Sequence, residues 1–188
     1  AKNKKLYVGG QDELGYLSAD ESGTLNYHSL TNLIPEAFKS FSDVWKIFVI
    51  GEEVYFCSQR AVFVLRDNQI QVIPPNDRFE NFFESRGRLY IQDVSDGLLI
   101  LDQGKLNPIA GSEQFGDSRI AAILPFKKEE ELIVTANQGL FLMKGQDIQS
   151  WQIQTSSFLE NNEAYSAIKL ADGRIAIGTT QNGLLIIN

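Results

Sequence analysis

A small residue returns at nearly regular intervals along the chain, each time between two strand-like runs: Gly15, Ala61, Gly97, Gly139 and Gly183. The spacings are 46, 36, 42 and 44 residues by subtraction, close to the roughly 40 to 50 residues of one propeller blade. Around each of these positions the order is the same: an apolar run, a turn, a strand, a short polar loop, the small residue opening a third strand, a turn, and a last strand. The second unit shows it best, with runs at 44–49, 54–57, 61–65 and 70–73, turns at Gly51-Glu52 and Asp67-Asn68, and the loop Ser58-Gln59-Arg60. The third unit has runs at 79–83, 88–92, 97–101 and 105–109, and the fourth at 120–125, 131–135, 139–143 and 147–153. The fifth has 165–170, 174–178 and 183–187, while the first begins late, with 6–9, 15–17 and 24–29. A small residue at the start of strand three lets the chain leave a tight loop with positive φ, or lets another backbone come close. Ser22-Gly23, Arg86-Gly87, Gln103-Gly104, Gly145 and Asp172-Gly173 are hairpin signals between strands.

A four-stranded antiparallel unit cannot bury both of its faces alone. Stacking units face to face buries them, and strands such as 62–65 then become apolar on both sides. A sandwich would not require the recurring small residue. The expected fold class is all-β: a β-propeller fragment of about five four-stranded blade units, the first and last incomplete. The units fall at approximately 4–30, 41–73, 77–109, 118–153 and 161–188 of a single segment, with about 18 strands in all. Unpaired strands at both ends of such a stack are unfavourable, so the segment is expected to be part of a larger propeller. Pro35 suggests a short helical turn in the connection 34–40.

The charge balance excludes some classes of function. With 24 acidic against 17 basic residues and a formal net charge of -7, and no basic stripe with interleaved aromatics, nucleic acid is not an expected partner. The longest apolar stretches are far shorter than the roughly 20 residues of a membrane helix. The polar start, residues 1–5, runs straight into a strand-like segment and does not read as a signal peptide. The lone cysteine, Cys57, sits in an apolar strand pattern and reads as a small buried hydrophobe.

Catalytic and metal-binding patterns are sparse. His28 is the only histidine and lies in an alternating strand, where a solvated or hydrogen-bonded position is expected. One histidine and one cysteine do not supply a zinc ligand set, and no cofactor or metal site is expected. Gly111 to Gly116 has the glycine spacing of a P-loop, but Asp117 stands where a lysine would be needed. The segment 93–97 is acidic and ends in glycine, yet position 5 of a calcium loop would fall on Gly97, so an Asx turn feeding strand three is the simpler reading. Trp45, Phe79, Phe82 and Phe83 sit on the innermost strands, either in the core or along a central channel. Glu129, Glu130 and Glu131, after Lys127 and Lys128, read as a solvated turn.

Several segments resemble blades of the two-component regulator propeller family. They are Leu6-Tyr7-Val8-Gly9-Gly10, Leu14-Gly15-Tyr16-Leu17 and Gly23 to Leu30, with Asp96-Gly97-Leu98-Leu99 and Gln138-Gly139-Leu140-Phe141. The segment 174–184 is the nearest match, with Gly178-Thr179, a short polar loop, and Gly183-Leu184. The chain departs from the family pattern in placing Tyr7, Tyr55 and Tyr90 where tryptophan is frequent, and Ala61 where glycine is. The resemblance implies an extracytoplasmic, periplasmic sensor propeller of a membrane-anchored regulator of the kind common in Bacteroidetes. A three-tyrosine sandwich domain, a membrane helix and a histidine kinase or DNA-binding output would follow it, and a homodimer of the full-length receptor is possible. Many such receptors sense glycans.

The expected function is therefore a non-catalytic sensor or ligand-binding segment in signal transduction. The alternatives are a protein-interaction scaffold without a small ligand, and a propeller hydrolase, lyase or lactonase. Binding would use the face formed by the loops between strands two and three and those joining consecutive units. Arg60, Asp93 and Asn137 occupy corresponding loops and are the leading ligand-binding candidates, with Gln11, Asp96 and Gln181 beside them. Together they offer a donor fork, acceptors and amides, which suits a small hydroxylated ligand, a glycan or a peptide.

Overall fold

The structure, a computed structural model, describes residues 4–116, 118–154 and 156–188. The first three residues of the polar start and Asp117 lie outside the described residues. Among the described residues eighteen strands form five antiparallel sheets that follow one another along the chain. Blade 1 contains β1 (Lys5–Gly10), β2 (Glu13–Ala19) and β3 (Leu25–Ser29). Blade 2 contains β4 (Val44–Ile50), β5 (Glu53–Ser58), β6 (Val62–Arg66) and β7 (Gln69–Ile73). Blade 3 contains β8 (Phe79–Ser85), β9 (Arg88–Asp93), β10 (Gly97–Asp102) and β11 (Lys105–Pro108). Blade 4 contains β12 (Ile120–Pro125), β13 (Glu131–Thr135), β14 (Leu140–Lys144) and β15 (Asp147–Ser150). Blade 5 contains β16 (Ala164–Lys169), β17 (Ile175–Thr179) and β18 (Leu184–Ile187).

Each blade is a simple meander in which sequence neighbours pair. Its tight turns follow from residue chemistry. Asp67-Asn68, Arg86-Gly87 and Gln103-Gly104 each have positive φ at both central residues, the two-residue turn whose twist matches that of the strands it joins.

The core is divided among the blade interfaces. Along β5, Val54 and Phe56 pack towards blade 1, while Tyr55 and Cys57 pack towards blade 3. Along β6, Phe63 and Leu65 face one way, Val62 and Val64 the other. This is the period-2 alternation of a strand with apolar neighbours on both faces. Cys57 has no exposed surface, and burial pushes its thiol pKa far up. The same division repeats between blades 3 and 4, around Phe83, Leu98, Ile120 and Ile133, and between blades 4 and 5, around Leu132, Val134, Ile175 and Ile177. Each buried side chain of this size contributes about 1.5–3 kcal/mol, so a blade is held mainly by its neighbours.

The first strands of the blades converge. β8 and β16 each approach β12, and β4 is tied to β8 through Lys46. The sheets therefore radiate from their strand-one edges, which is the architecture of a β-propeller. In blades 2 to 5 the connection between strands two and three lies at the end where strand one begins, and the other hairpins lie at the opposite end; in blade 1 the β1–β2 loop lies at that first end, bridged through Gln11 to Asp43 just before β4.

Three local expectations change. Glu131, expected in a solvated turn with Glu129 and Glu130, is buried as the first residue of β13, because Arg86 and Ser85 of blade 3 satisfy its carboxylate. Gly15 does not open its strand: it is the third residue of β2, and Asp12 takes the positive φ of the preceding turn. Gly15 is required by proximity instead, since a Cβ there would lie 2.3 Å from the His28 carbonyl oxygen. In the connection 34–40 a 3-10 turn forms at Glu36–Phe38, with Pro35 as the residue before it rather than its first. A further short helix, α1 (Ser156–Glu160), joins blades 4 and 5.

Candidate functional site

The same irregularity occurs at the start of four innermost strands. A bulge separates Val44 from Lys46 on β4, Phe79 from Asn81 on β8, Ile120 from Ala122 on β12, and Ala164 from Ser166 on β16. The extra residues are Trp45, Glu80, Ala121 and Tyr165. A bulge re-aims one side chain away from the ladder, and here it brings out two large rings: Trp45 is 50% exposed and Tyr165 is 65% exposed. Phe79, Phe82 and Phe83 are buried, so of the four aromatics expected on the inner strands only Trp45 reaches the surface.

Charged groups belong to the same row. Arg78 pairs with Glu80 at 3.3 Å, and Arg119 pairs with Glu163 at 3.6 Å. The Arg119 guanidinium lies 5.4 Å from the centre of the Tyr165 ring and donates to the carbonyls of Ala164 and Tyr165 at 2.9 and 3.2 Å. Beneath them a polar ladder crosses from blade to blade. Lys46 donates from Nζ to Asn81 Oδ1 at 2.9 Å and to the Phe82 carbonyl at 2.8 Å, and Asn81 Nδ2 donates to the Ile120 carbonyl at 3.0 Å. These side chains satisfy strand-edge carbonyls that have no further strand to pair with. Burial lowers the Lys46 pKa, the nearby Cys57 opposes this, and Arg119 adds to it.

The loops between strands two and three lie at this same end and are built on a second recurring device. The last residue of strand two carries a side-chain oxygen that closes the loop. Ser58 Oγ accepts from the Ala61 N–H at 3.1 Å, Thr135 Oγ1 from the Gln138 N–H at 3.0 Å, and Thr179 Oγ1 from the Asn182 N–H at 3.1 Å. Each hydroxyl also donates to the carbonyl of the residue opening strand three, Ala61, Gly139 or Gly183. In blade 3 the residue is Asp93, whose Oδ1 accepts from the N–H groups of Ser95 and Asp96 at 2.8 and 3.1 Å.

The structure thus separates the candidates drawn from the loops. Asp93 has no exposed surface and cannot meet a ligand; it holds the turn, because a carboxyl at a strand end is well placed to accept the free N–H groups of the loop. Asp96 accepts from Asn76 Nδ2 at 2.6 Å. Arg60 is exposed and donates to the Ser40 carbonyl at 3.3 Å, and Asn137 is exposed and accepts from Ser118 Oγ at 2.7 Å. Gln11 is exposed in an isolated bridge to Asp43, and Gln181 is exposed at the tip of its loop. Glu80, Arg119 and Tyr165 were not among the candidates. For Glu80 and Tyr165 the signal was a column: with units aligned on strand one, the second residue is Trp45, Glu80, Ala121 and Tyr165, while Arg119, like Arg78, directly precedes strand one. Starting the fifth unit at Tyr165 instead of Ala164 hides it. His28 is remote from this column on β3, stacked on Tyr16 with ring centroids 4.8 Å apart and bonded to Ser18 at 3.0 Å.

No protein-family model matches the sequence, and no curated protein matches it. Solved structures do. The extracellular domain of the hybrid two-component system BT3049 from B. thetaiotaomicron superposes with a TM-score of 0.67 at 17% identity, over 99% of this chain and 25% of that one. The corresponding domain of BT4673 from the same organism gives 0.66 at 17% identity, over 100% and 25%. PorZ, a surface component of the type-IX secretion system of Porphyromonas gingivalis, gives 0.66 at 12% identity, over 99% and 27%. The chain spans about a quarter of the length of these three structures. The likeness establishes the β-propeller fold.

Proposed function

We propose that this chain is a non-catalytic, ligand-binding segment of an extracytoplasmic sensor propeller in a membrane-anchored signal-transduction regulator. The recurring Gly-Leu of its units, the Gly178-Thr179 pair and the fold shared with two extracellular sensor domains support this reading. The observation that carries the binding role is the row of aligned bulges that turns Trp45 and Tyr165 into solvent, with Arg119 over the Tyr165 ring and Glu80 of the same row paired with Arg78. Exposed ring faces flanked by fixed donors and acceptors suit a ligand with an apolar ring face and a hydroxylated edge, such as a glycan. Arg60 and Asn137 extend the same surface outward.

The five units belong, in this reading, to a larger propeller, and in the full receptor they adjoin its remaining blades and a three-tyrosine domain. The outer face of blade 1 exposes Leu6, Leu25 and Tyr27, and that of blade 5 exposes Ile168, Leu184 and Ile186. Residues in these rows are in register with Leu17 and Ala176 on the same faces. Further blades would cover them as blades 1 and 3 cover blade 2.

The test is titration of the complete extracytoplasmic region with a glycan library, following binding by isothermal titration calorimetry. Trp45→Ala and Tyr165→Ala should each weaken binding of a glycan ligand at least about tenfold, the value of one aromatic anchor. Arg60→Ala and Asn137→Ala should weaken it less. Unchanged affinity in folded Trp45→Ala and Tyr165→Ala variants would rule out this rim as the binding surface.

A further inference from the structure

Three grooves open between neighbouring blades at the end opposite the rim. Their equivalence makes their differences informative. The groove between blades 1 and 2 is lined by Lys5 against Glu52 and Asp67, and that between blades 2 and 3 by Arg66 against Glu53 and Asp67. Each has an excess of negative charge, as expected in a chain of net charge -7. The groove between blades 3 and 4, with a volume of about 560 Å³, is reversed: Arg86, Arg88, Lys128 and Lys144 face Glu129 and Glu131.

The carboxyl groups in this groove are already engaged. Glu131, almost fully buried, is held by Arg86 Nε at 3.1 Å and accepts from Ser85 Oγ at 2.6 Å. Glu129 pairs with Lys144 at 3.4 Å. Arg86 is further fixed by the carbonyls of Lys127, Lys128 and Glu130, so it clamps the β12–β13 hairpin onto the β8–β9 hairpin. This clamp brings Lys128 and Arg88 into the lining of one groove. Arg88 lies beside the Tyr90 hydroxyl, which is buried in the floor of the groove and carries a raised pKa through burial first and Glu131 second. Among the described residues no ion pair holds the exposed Arg88 guanidinium or the exposed Lys128 ammonium, and with the Tyr90 hydroxyl they line one cavity as hydrogen-bond donors.

We propose that this groove binds a tetrahedral oxyanion, a sulfate or phosphate group, with Arg88 and Lys128 supplying the charge and Tyr90 a hydrogen bond. The guanidinium matches two oxygens of such a group at once, and the ammonium neutralises the remaining charge. The site is independent of the rim and lies at the other end of the blades, so the two can fail or succeed separately.

The experiment is an NMR titration of the 188-residue chain with sodium sulfate and with sodium phosphate at fixed ionic strength. Glycerol 3-phosphate and a sulfated monosaccharide serve as ester arms, to tell a free ion from an ester group. Saturable shifts confined to the amides of 85–90 and 126–131 are expected, with affinity falling as sodium chloride is raised. Arg88→Gln combined with Lys128→Gln changes only exposed side chains, and should weaken binding at least about tenfold. Lys39→Gln, on the connection between blades 1 and 2, should leave it unchanged. Absence of saturable shifts with all four probes would overturn the proposal. So would equal weakening by Lys39→Gln, which would show attraction to any surface cation.

Discussion

Asp93→Thr should make the protein more stable, although it removes a residue fully enclosed by the fold. In the three other blades that share the loop device, a hydroxyl accepts one backbone N–H and donates to one carbonyl, with all distances between 2.8 and 3.1 Å. Asp93 uses Oδ1 for two N–H groups, but its Oδ2 is buried without a hydrogen-bond partner. An enclosed oxygen left without a partner costs about 1–3 kcal/mol. Threonine at this position keeps the bond from the Asp96 N–H, loses that from Ser95, and directs its proton at the Gly97 carbonyl, as Thr135 does at Gly139. One bond lost and one gained offset each other at about 1 kcal/mol apiece. The relief of the buried oxygen then leaves Asp93→Thr about 1–2 kcal/mol more stable than wild type. Asp93→Val, of the same shape without the hydroxyl, should fall about 2 kcal/mol below the threonine variant, the worth of two hydrogen bonds. Urea unfolding measures both differences, provided the slopes agree. In a thermal scan the gain amounts to about 2–4 °C for each kcal/mol in a chain of this size. A threonine variant less stable than wild type would refute the reasoning, and would mean that Oδ2 is satisfied by a group such as a bound cation.

Asn81→Ala should cost about 2–4 kcal/mol, since it strips an acceptor from the half-buried Lys46 ammonium and a donor from the Ile120 carbonyl; chemical unfolding measures the loss, and a cost below 1 kcal/mol would deny the ladder a structural role. Gly15→Ala should cost about 3 kcal/mol, the upper end for overpacking, because the added Cβ meets the His28 carbonyl and the Tyr27 hydroxyl; hydrogen exchange should show β3 losing protection first. Tyr27 donates to Glu13 and has its pKa raised from 10.0 to about 12, by burial first and then by Glu13. A raised tyrosine favours the folded state below its unfolded pKa and loses that contribution as pH climbs through the folded one. Stability should therefore fall between pH 10 and 12, and Tyr27→Phe should make that fall shallower in alkaline unfolding curves.

Much of the architecture was written locally. Strand order, the hairpin turns and the five units follow from period-2 apolar runs and from glycines and asparagines at turns, because these signals act over a few residues and do not depend on what lies across the molecule. Cys57 was legible as buried for the same reason. Asp93 was legible as the start of an Asx turn but not as fully enclosed: an acidic residue in a polar loop looks like a surface group, and only the packed blades show that its second carboxyl oxygen is buried. Gly15 was legible as a small-residue position, and of the two reasons offered, positive φ and a close backbone approach, the structure selects the second: the carbonyl that forbids a side chain there comes from the neighbouring strand.

The site depended still more on tertiary structure. Trp45 and Phe82 lie on equally apolar inner strands, yet one is exposed and the other has no exposed surface; a one-residue bulge decides this, and a bulge is a property of two paired strands rather than of either alone. The union of Trp45, Glu80, Arg119 and Tyr165 spans four blades, and the reversed charge of the groove between blades 3 and 4 joins residues from separate hairpins. Sequence by itself determined that the chain would build repeated antiparallel blades, because alternation and turn chemistry are local. Which side chains those blades turned outward, and which charges they set face to face, was decided only when the sheets packed, because register and blade stacking bring together residues some forty positions apart.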